Sequence, residues 1–228
     1  LQCFPAITVY RLADFDSIQL DSYNLRQIMR LSTNIDFQGN WAIWISNILH
    51  PIVLSPLTFL LLIGFSGAAW TTQIIWTAIA CACCIIPFTF LGQHQDPLGL
   101  NERQQQRIPL LIGILCYTLG FLGLSAFDAP FLIQGLMFCY IVTTLIIISI
   151  NPWWPVSIHT AGMGGSLMAL TLQWGWLILP LYAFIPLVGA ASVSLKKHTT
   201  AQVVGGALIG LLVTGILLKL IFQQWLFT

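Results

Sequence analysis

His159 and His198 are the residues of this sequence best placed to do chemistry. Each stands in or just before the first turn of an apolar run, where unpaired backbone N–H groups and the helix dipole favour an anion. Ser157 lies two residues ahead of His159, and Lys196 and Lys197 directly precede His198. A further polar island, 93–109, carries Arg103 and Arg107, which one helical turn would set on the same side. Guanidinium forks suit bidentate recognition of phosphate, and lysine adds a compact point charge. Taken singly, each residue has a plainer reading. The arginines and lysines serve equally well as anchors of loops at a membrane face, and a histidine at a helix end is commonly interfacial. His50, before Pro51, and His94 keep that plainer reading. It is the combination that predicts a phosphate pocket.

The elements that must hold these residues together are membrane helices. Only 7% of the chain is charged and 57% is hydrophobic, whereas a soluble domain carries about 25% charged residues. Apolar runs predict spans at 45–66, 71–91, 108–127, 130–150, 158–175, 176–195 and 200–223. The fold class expected is therefore all-α, a polytopic bundle of about seven transmembrane helices. The runs are continuously apolar rather than alternating, which excludes a barrel. Residues 1–40 differ, with Asp14, Asp16, Asp21, Asp36, Arg11, Arg26 and Arg30 among them. They read as a cytoplasmic or interfacial arm with a short amphipathic helix at 21–31, and 41–228 as the transmembrane bundle. The chain opens at Leu1 rather than methionine, and a short leading segment is expected ahead of it.

If the spans alternate, all three polar islands reach one membrane face. Seven of the eight basic residues then share that face and only Lys219 sits near the other, so the positive-inside rule makes it cytoplasmic. Trp41, Trp44, Trp153 and Trp154 belt this face, and Trp70, Trp174, Trp176 and Trp225 the opposite one. No basic surface exists for nucleic acid. Five of the six cysteines sit inside apolar runs, and Cys81, Cys83 and Cys84 lack the second ligand pair of a metal site. They read as core packing. Gly164, Gly165, Gly206 and Gly210 suit close backbone approach of the fifth and seventh spans, which would draw His159 and His198 together.

Over 45–223 the pattern resembles the type 2 phosphatidic acid phosphatase superfamily, whose motifs are Lys-x6-Arg-Pro, Pro-Ser-Gly-His and Ser-Arg-x5-His-x3-Asp. Ala191-Ser192, His198 and Gln202 stand at the third-motif positions, Val156-Ser157-Ile158-His159 at the second, and Leu100 with Arg107-Ile108-Pro109 at the first. The chain is similar to a divergent bacterial branch, so the bacterial inner membrane is the expected location. The resemblance implies that His198 is the nucleophile, forming a phosphohistidine, and His159 the acid–base residue. It implies that Ser157, Arg103 and Arg107 bind phosphate oxygens, with Lys197 in place of the missing third-motif arginine, and that neither metal nor other cofactor is required. Gln202 occupies the position of the carboxylate that orients the nucleophile, and it cannot offset an imidazolium charge.

Two functions follow. One is metal-independent hydrolysis of a lipid or isoprenoid phosphate reached from the bilayer. The other is an inactive structural, lipid-binding or pigment-binding subunit of a larger membrane complex. A prenyltransferase is discounted, because Asp96 has no second Asp at the spacing that magnesium diphosphate chemistry requires.

Overall fold

Proline and glycine set where the helices break. The computed structural model describes residues 41–89 and 102–222. The expected amphipathic helix at 21–31, and the part of the first polar island before Glu102, lie outside the described residues. The chain divides at Trp41/Ala42 into two units, and the second carries the bundle. Its elements are α1 (Trp41–Ile48), α2 (Pro51–Gly64), α3 (Trp70–Thr89), α4 (Glu102–Ala126), α5 (Phe131–Ile150), α6 (Ile158–Trp174), a 3-10 stretch (Gly175–Ala183), α7 (Phe184–Ser194) and α8 (Thr200–Phe222). Among the described residues all regular structure is helical.

Five helical segments are long and apolar enough to cross a membrane, and six if the bent pair α1–α2 counts as one span. The 41° bend in that pair falls at Leu49-His50. Pro51 explains it, since proline lacks the N–H that would continue the α1 ladder yet suits the first position of a new helix. Leu111, Leu115, Leu119 and Leu122 of α4 are each more than half exposed, as are Val204, Leu212 and Ile216 of α8. Such rows, three and four apart, give each helix a continuous apolar outer face. Water would not tolerate so much of it, but lipid does. This is a membrane protein.

Neighbouring helices pair through contacts that fix their directions. Trp76 Nε1 donates to the Phe127 carbonyl at 2.8 Å, tying the start of α3 to the end of α4. Tyr117 meets Tyr140, and Phe121 meets Phe138, each with ring centroids 5.6 Å apart, so α4 and α5 run antiparallel. Phe65 packs on Trp174 at 5.4 Å, while His50 meets His159 at the other end, so α2 and α6 run parallel.

The α6–α8 pair is the tightest. Gly206 lies against Ser157 and Thr160, Gly210 against Ala161, Gly165 against Thr214 and Gly215 against Met168. These contacts rise together along both helices, so α6 and α8 are parallel and the chain between them must return. It turns at Gly175, whose φ of +60° is a left-handed conformation natural to glycine. Beyond it Tyr182 shares a hydrogen bond of 2.9 Å with Thr171. Eleven residues of straight helix would hold those two groups about 16–22 Å apart. The reversal places the 3-10 stretch back along α6, and α7 then packs Gly189 against Val203 of α8.

Candidate functional site

The alternation of directions gathers the starts of α2, α4, α6 and α8 with the ends of α3, α5 and α7 at one end of the bundle. A cavity of about 650 Å³ opens there. His50, His159, Lys197 and His198 line it together with Asn151 and Tyr117. Its remaining wall is largely apolar, with Pro87, Pro109, Leu110 and Val156 among the contributors. Among the described lining residues there is no carboxylate, and Lys197 is the one permanent charge.

Each functional side chain has a local reason for its place. His159 sits in the first turn of α6, and that turn is clamped to α8. The Ser157 N–H donates to the Gln202 carbonyl at 3.3 Å, and Thr160 Oγ1 donates to the Val203 carbonyl at 2.9 Å. With no side chain at Gly206 or Gly210, the two backbones close on each other. Lys197 and His198 follow a Schellman turn at the end of α7. The Lys197 N–H donates to the Ser192 carbonyl at 3.1 Å and the Lys196 N–H to the Val193 carbonyl at 2.9 Å. Lys196 takes the left-handed position, φ 54°, that glycine usually fills, a conformation costing a side-chain-bearing residue about 1–2 kcal/mol. The turn aims His198 back over the start of α6, beside the Pro155 carbonyl and the Gln202 side chain.

The imidazoles are underused by the protein. His159 Nε2 and His198 Nδ1 are buried without a well-formed hydrogen bond, as is Ser157 Oγ. Burial holds the His198 pKa below the usual imidazole range. The Pro155 carbonyl and Gln202 pull it up, and Lys197 pushes it further down. His198 therefore keeps a free lone pair near neutral pH.

The sequence expectations divide at this cavity. His159, His198 and Lys197 line it together. Arg107 does not: it is exposed, although Pro109, Leu110 and Gly113 of the same helix reach the wall. Arg103 falls in the first turn of α4, with its side chain outside the described residues. Ser157 is fully buried just behind the wall. Gln202 forms a capping box: its Oε1 accepts the Thr199 N–H at 2.9 Å, and its own N–H donates to Thr199 Oγ1 at 3.4 Å. Its side chain starts α8 as well as facing His198.

His50, which its sequence position alone assigns to the membrane interface, lines the same cavity. Its Nδ1 accepts the Ile52 N–H at 3.2 Å and so caps α2. Its ring meets His159 at 4.7 Å, perpendicular to it. A signal was available, since a histidine at the start of the first span shares the depth of one at the start of the fifth. Among the described residues no group of three or more His, Cys, Asp or Glu is arranged to hold a metal. The arrangement offers an anion two helix N-termini, an ammonium and imidazole donors, with an apolar wall for whatever the anion is attached to. The chain matches no family model, no curated protein and no solved structure.

Proposed function

We propose that this protein binds the phosphate of a lipid or isoprenoid phosphate in the cavity at the bundle end and hydrolyses it through a phosphohistidine, without a metal. The observation that carries the reading is the meeting of His159, His198 and Lys197 in one cavity, both imidazoles keeping a buried nitrogen free of a well-formed hydrogen bond. The unprotonated His198 attacks phosphorus as the ester P–O bond breaks, and His159 gives its proton to the departing alkoxide. Water then attacks the phosphohistidine, losing a proton to His159, and inorganic phosphate leaves with His198 regenerated. Lys197 and the N-terminal turn of α6 offset the phosphate charge throughout. The apolar wall from α3 and α4 receives the first part of the hydrocarbon chain.

The same reading takes the reversal at Gly175 as two crossings, giving seven spans, with the cavity on the cytoplasmic face of a bacterial inner membrane. Arg107, Lys196 and Lys197 at that end, against Lys219 in the last turn of α8, support this orientation. The resemblance to type 2 phosphatidic acid phosphatases supports the roles given to the two histidines.

A second reading is favoured by specific observations. Arg107 lies outside the cavity, and Gln202 brings no negative charge to His198. A site whose described lining residues include one permanent cation and no carboxylate suits a subunit that holds a lipid phosphate in a larger membrane complex without cleaving it. Purified protein in detergent, given phosphatidate or a polyprenyl phosphate with chelator present, decides between them. Hydrolysis predicts phosphate release that His198→Ala abolishes. His159→Ala should slow it most for poor leaving groups, which depend most on a proton. Binding that His198→Ala weakens, with no release by any variant and fixed-ratio co-purification with other membrane proteins, establishes the second reading.

A further inference from the structure

The cavity does not end at the histidines. A smaller inner pocket of about 50 Å³ adjoins it, and the two share Pro51, Tyr117, Thr144 and Ile158 as walls. Helix rise sets its depth. Its wall includes Ser55, five residues past His50 on α2, and Gly162 and Gly165, three and six past His159 on α6. These lie about 7 Å, 5 Å and 9 Å further into the bundle. Of the eleven described residues that line the pocket, five carry hydroxyls: Ser55, Tyr117, Tyr140, Thr143 and Thr144. Hydroxyls gathered inside a membrane are costly unless something polar meets them. Their bonds within the protein leave capacity for a guest. Tyr140 Oη shares a 3.0 Å bond with Ser166 Oγ, and Thr144 Oγ1 donates to the Tyr140 carbonyl at 2.7 Å. A hydroxyl has one donor and two acceptor sites, so these groups can still accept. Water fits this chemistry. One molecule needs about 15 Å³ of such space and two to four polar partners, so the pocket takes about three.

We propose that the inner pocket is a water site and that it supplies the molecule that cleaves the phosphohistidine. This rests on the hydrolytic reading above. His198 meets the Pro155 carbonyl, ahead of the start of α6, whereas the inner pocket lies beyond His159 along that helix. Displacement at phosphorus keeps the incoming and outgoing groups roughly in line. Water that displaces His198 must therefore approach from the side away from it, which is the side of the inner pocket. A lone pair of that water forms the new P–O bond as the P–N bond to His198 breaks. The electrons of the P–N bond return to the imidazole, and the proton of the water passes to His159. Gly162 keeps the space open. A Cβ there would meet Pro51 at 3.8 Å, ordinary contact, so a longer side chain starts without a clash and takes up room in the pocket.

Two measurements on the full chain in detergent test this. Hydroxyl-radical footprinting, corrected for intrinsic reactivity, compares Tyr140 with Trp76. They are buried alike, at 7% and 5% exposure, but Tyr140 lines the pocket and Trp76 does not. A hydrated pocket predicts several-fold more modification at Tyr140 in wild type and its loss in Gly162→Leu. Equally low modification of both residues in wild type overturns the proposal. Rapid quench with phosphatidate and chelator then follows two products: diacylglycerol marks formation of the phosphohistidine, and inorganic phosphate marks its cleavage. Gly162→Leu should release diacylglycerol in the first turnover near the wild-type rate, yet slow phosphate release by on the order of tenfold and accumulate phosphohistidine. Thr143→Val keeps the side-chain shape and removes one hydroxyl. It should act in the same direction more weakly, and it serves if the leucine variant does not fold. A packing role for this region predicts that both products slow together, and that pattern overturns the proposal. Phosphate release at the wild-type rate in every folded variant overturns it too. A dry pocket beside normal phosphate release removes this proposal alone, whereas wild type that releases neither product removes the hydrolytic reading with it.

Discussion

Gly206→Ala tests whether the clamp between α6 and α8 builds the site. A Cβ at this position would lie 2.5 Å from Thr160 Oγ1 and still closer to the Ser157 carbonyl oxygen, about 1 Å inside ordinary contact. The hydroxyl can rotate only by giving up its bond to the Val203 carbonyl, and the Ser157 carbonyl is backbone and cannot turn aside. The helices must therefore part. Overpacking of this kind costs about 1–3 kcal/mol, against an intrinsic helix gain for Gly→Ala of up to about 1 kcal/mol. His159 rides on the turn that moves and His198 on the loop that leads into α8. A misplacement near 1 Å between reacting groups can cost about 100-fold in rate. Gly64→Ala is the control, because nothing lies within 4 Å of its Cβ position. Thermal unfolding in detergent and phosphate affinity, measured side by side, should show Gly206→Ala less stable and weaker in binding than Gly64→Ala. If the two variants match in both, the close approach of α6 and α8 does not hold the site together.

The lowered pKa of His198 sets a pH dependence with a definite sign. Below the unfolded value of 6.5, the unfolded chain takes a proton that the folded chain resists, so stability is full above that pH and falls as pH drops through it. The acid loss should be smaller in Gln202→Glu, which keeps the capping box and adds a carboxylate beside His198. On the hydrolytic reading proposed above, the acid limb of phosphate release in that variant should move to higher pH; a move to lower pH contradicts the assigned environment of His198. Cysteines introduced by Lys197→Cys and Trp176→Cys should be labelled from opposite sides of a sealed membrane, the second from outside. Labelling of both from one side rules out the crossing at Gly175, and labelling of Lys197→Cys from outside inverts the orientation.

The composition of this chain placed it in a membrane, because 7% charge cannot cover a water-facing surface, and its continuously apolar runs called for helices. The polar islands marked where several helices end, whereas the break before Pro51 falls inside the single span expected at 45–66; the glycine pairs of α6 and α8 announced a close approach, since a missing side chain is a local property. The shared depth of His159 and His198 was legible too, as it follows from counting spans. Which side chains turn inward was not. Arg107 and Pro109 are two residues apart on α4, yet only the proline reaches the cavity wall, because helix rotation is set by packing against α3 and α5. Gln202 reads as a stand-in for a carboxylate, but the Thr199-x-x-Gln202 spacing is also that of a capping box, and the structure forms it at the start of α8. His50 and His159 are 109 positions apart, and nothing local to either predicts a meeting. Their contact exists because α2 and α6 run parallel and side by side, a decision made by the tertiary packing of apolar faces, which stores no record in the polar residues it brings together.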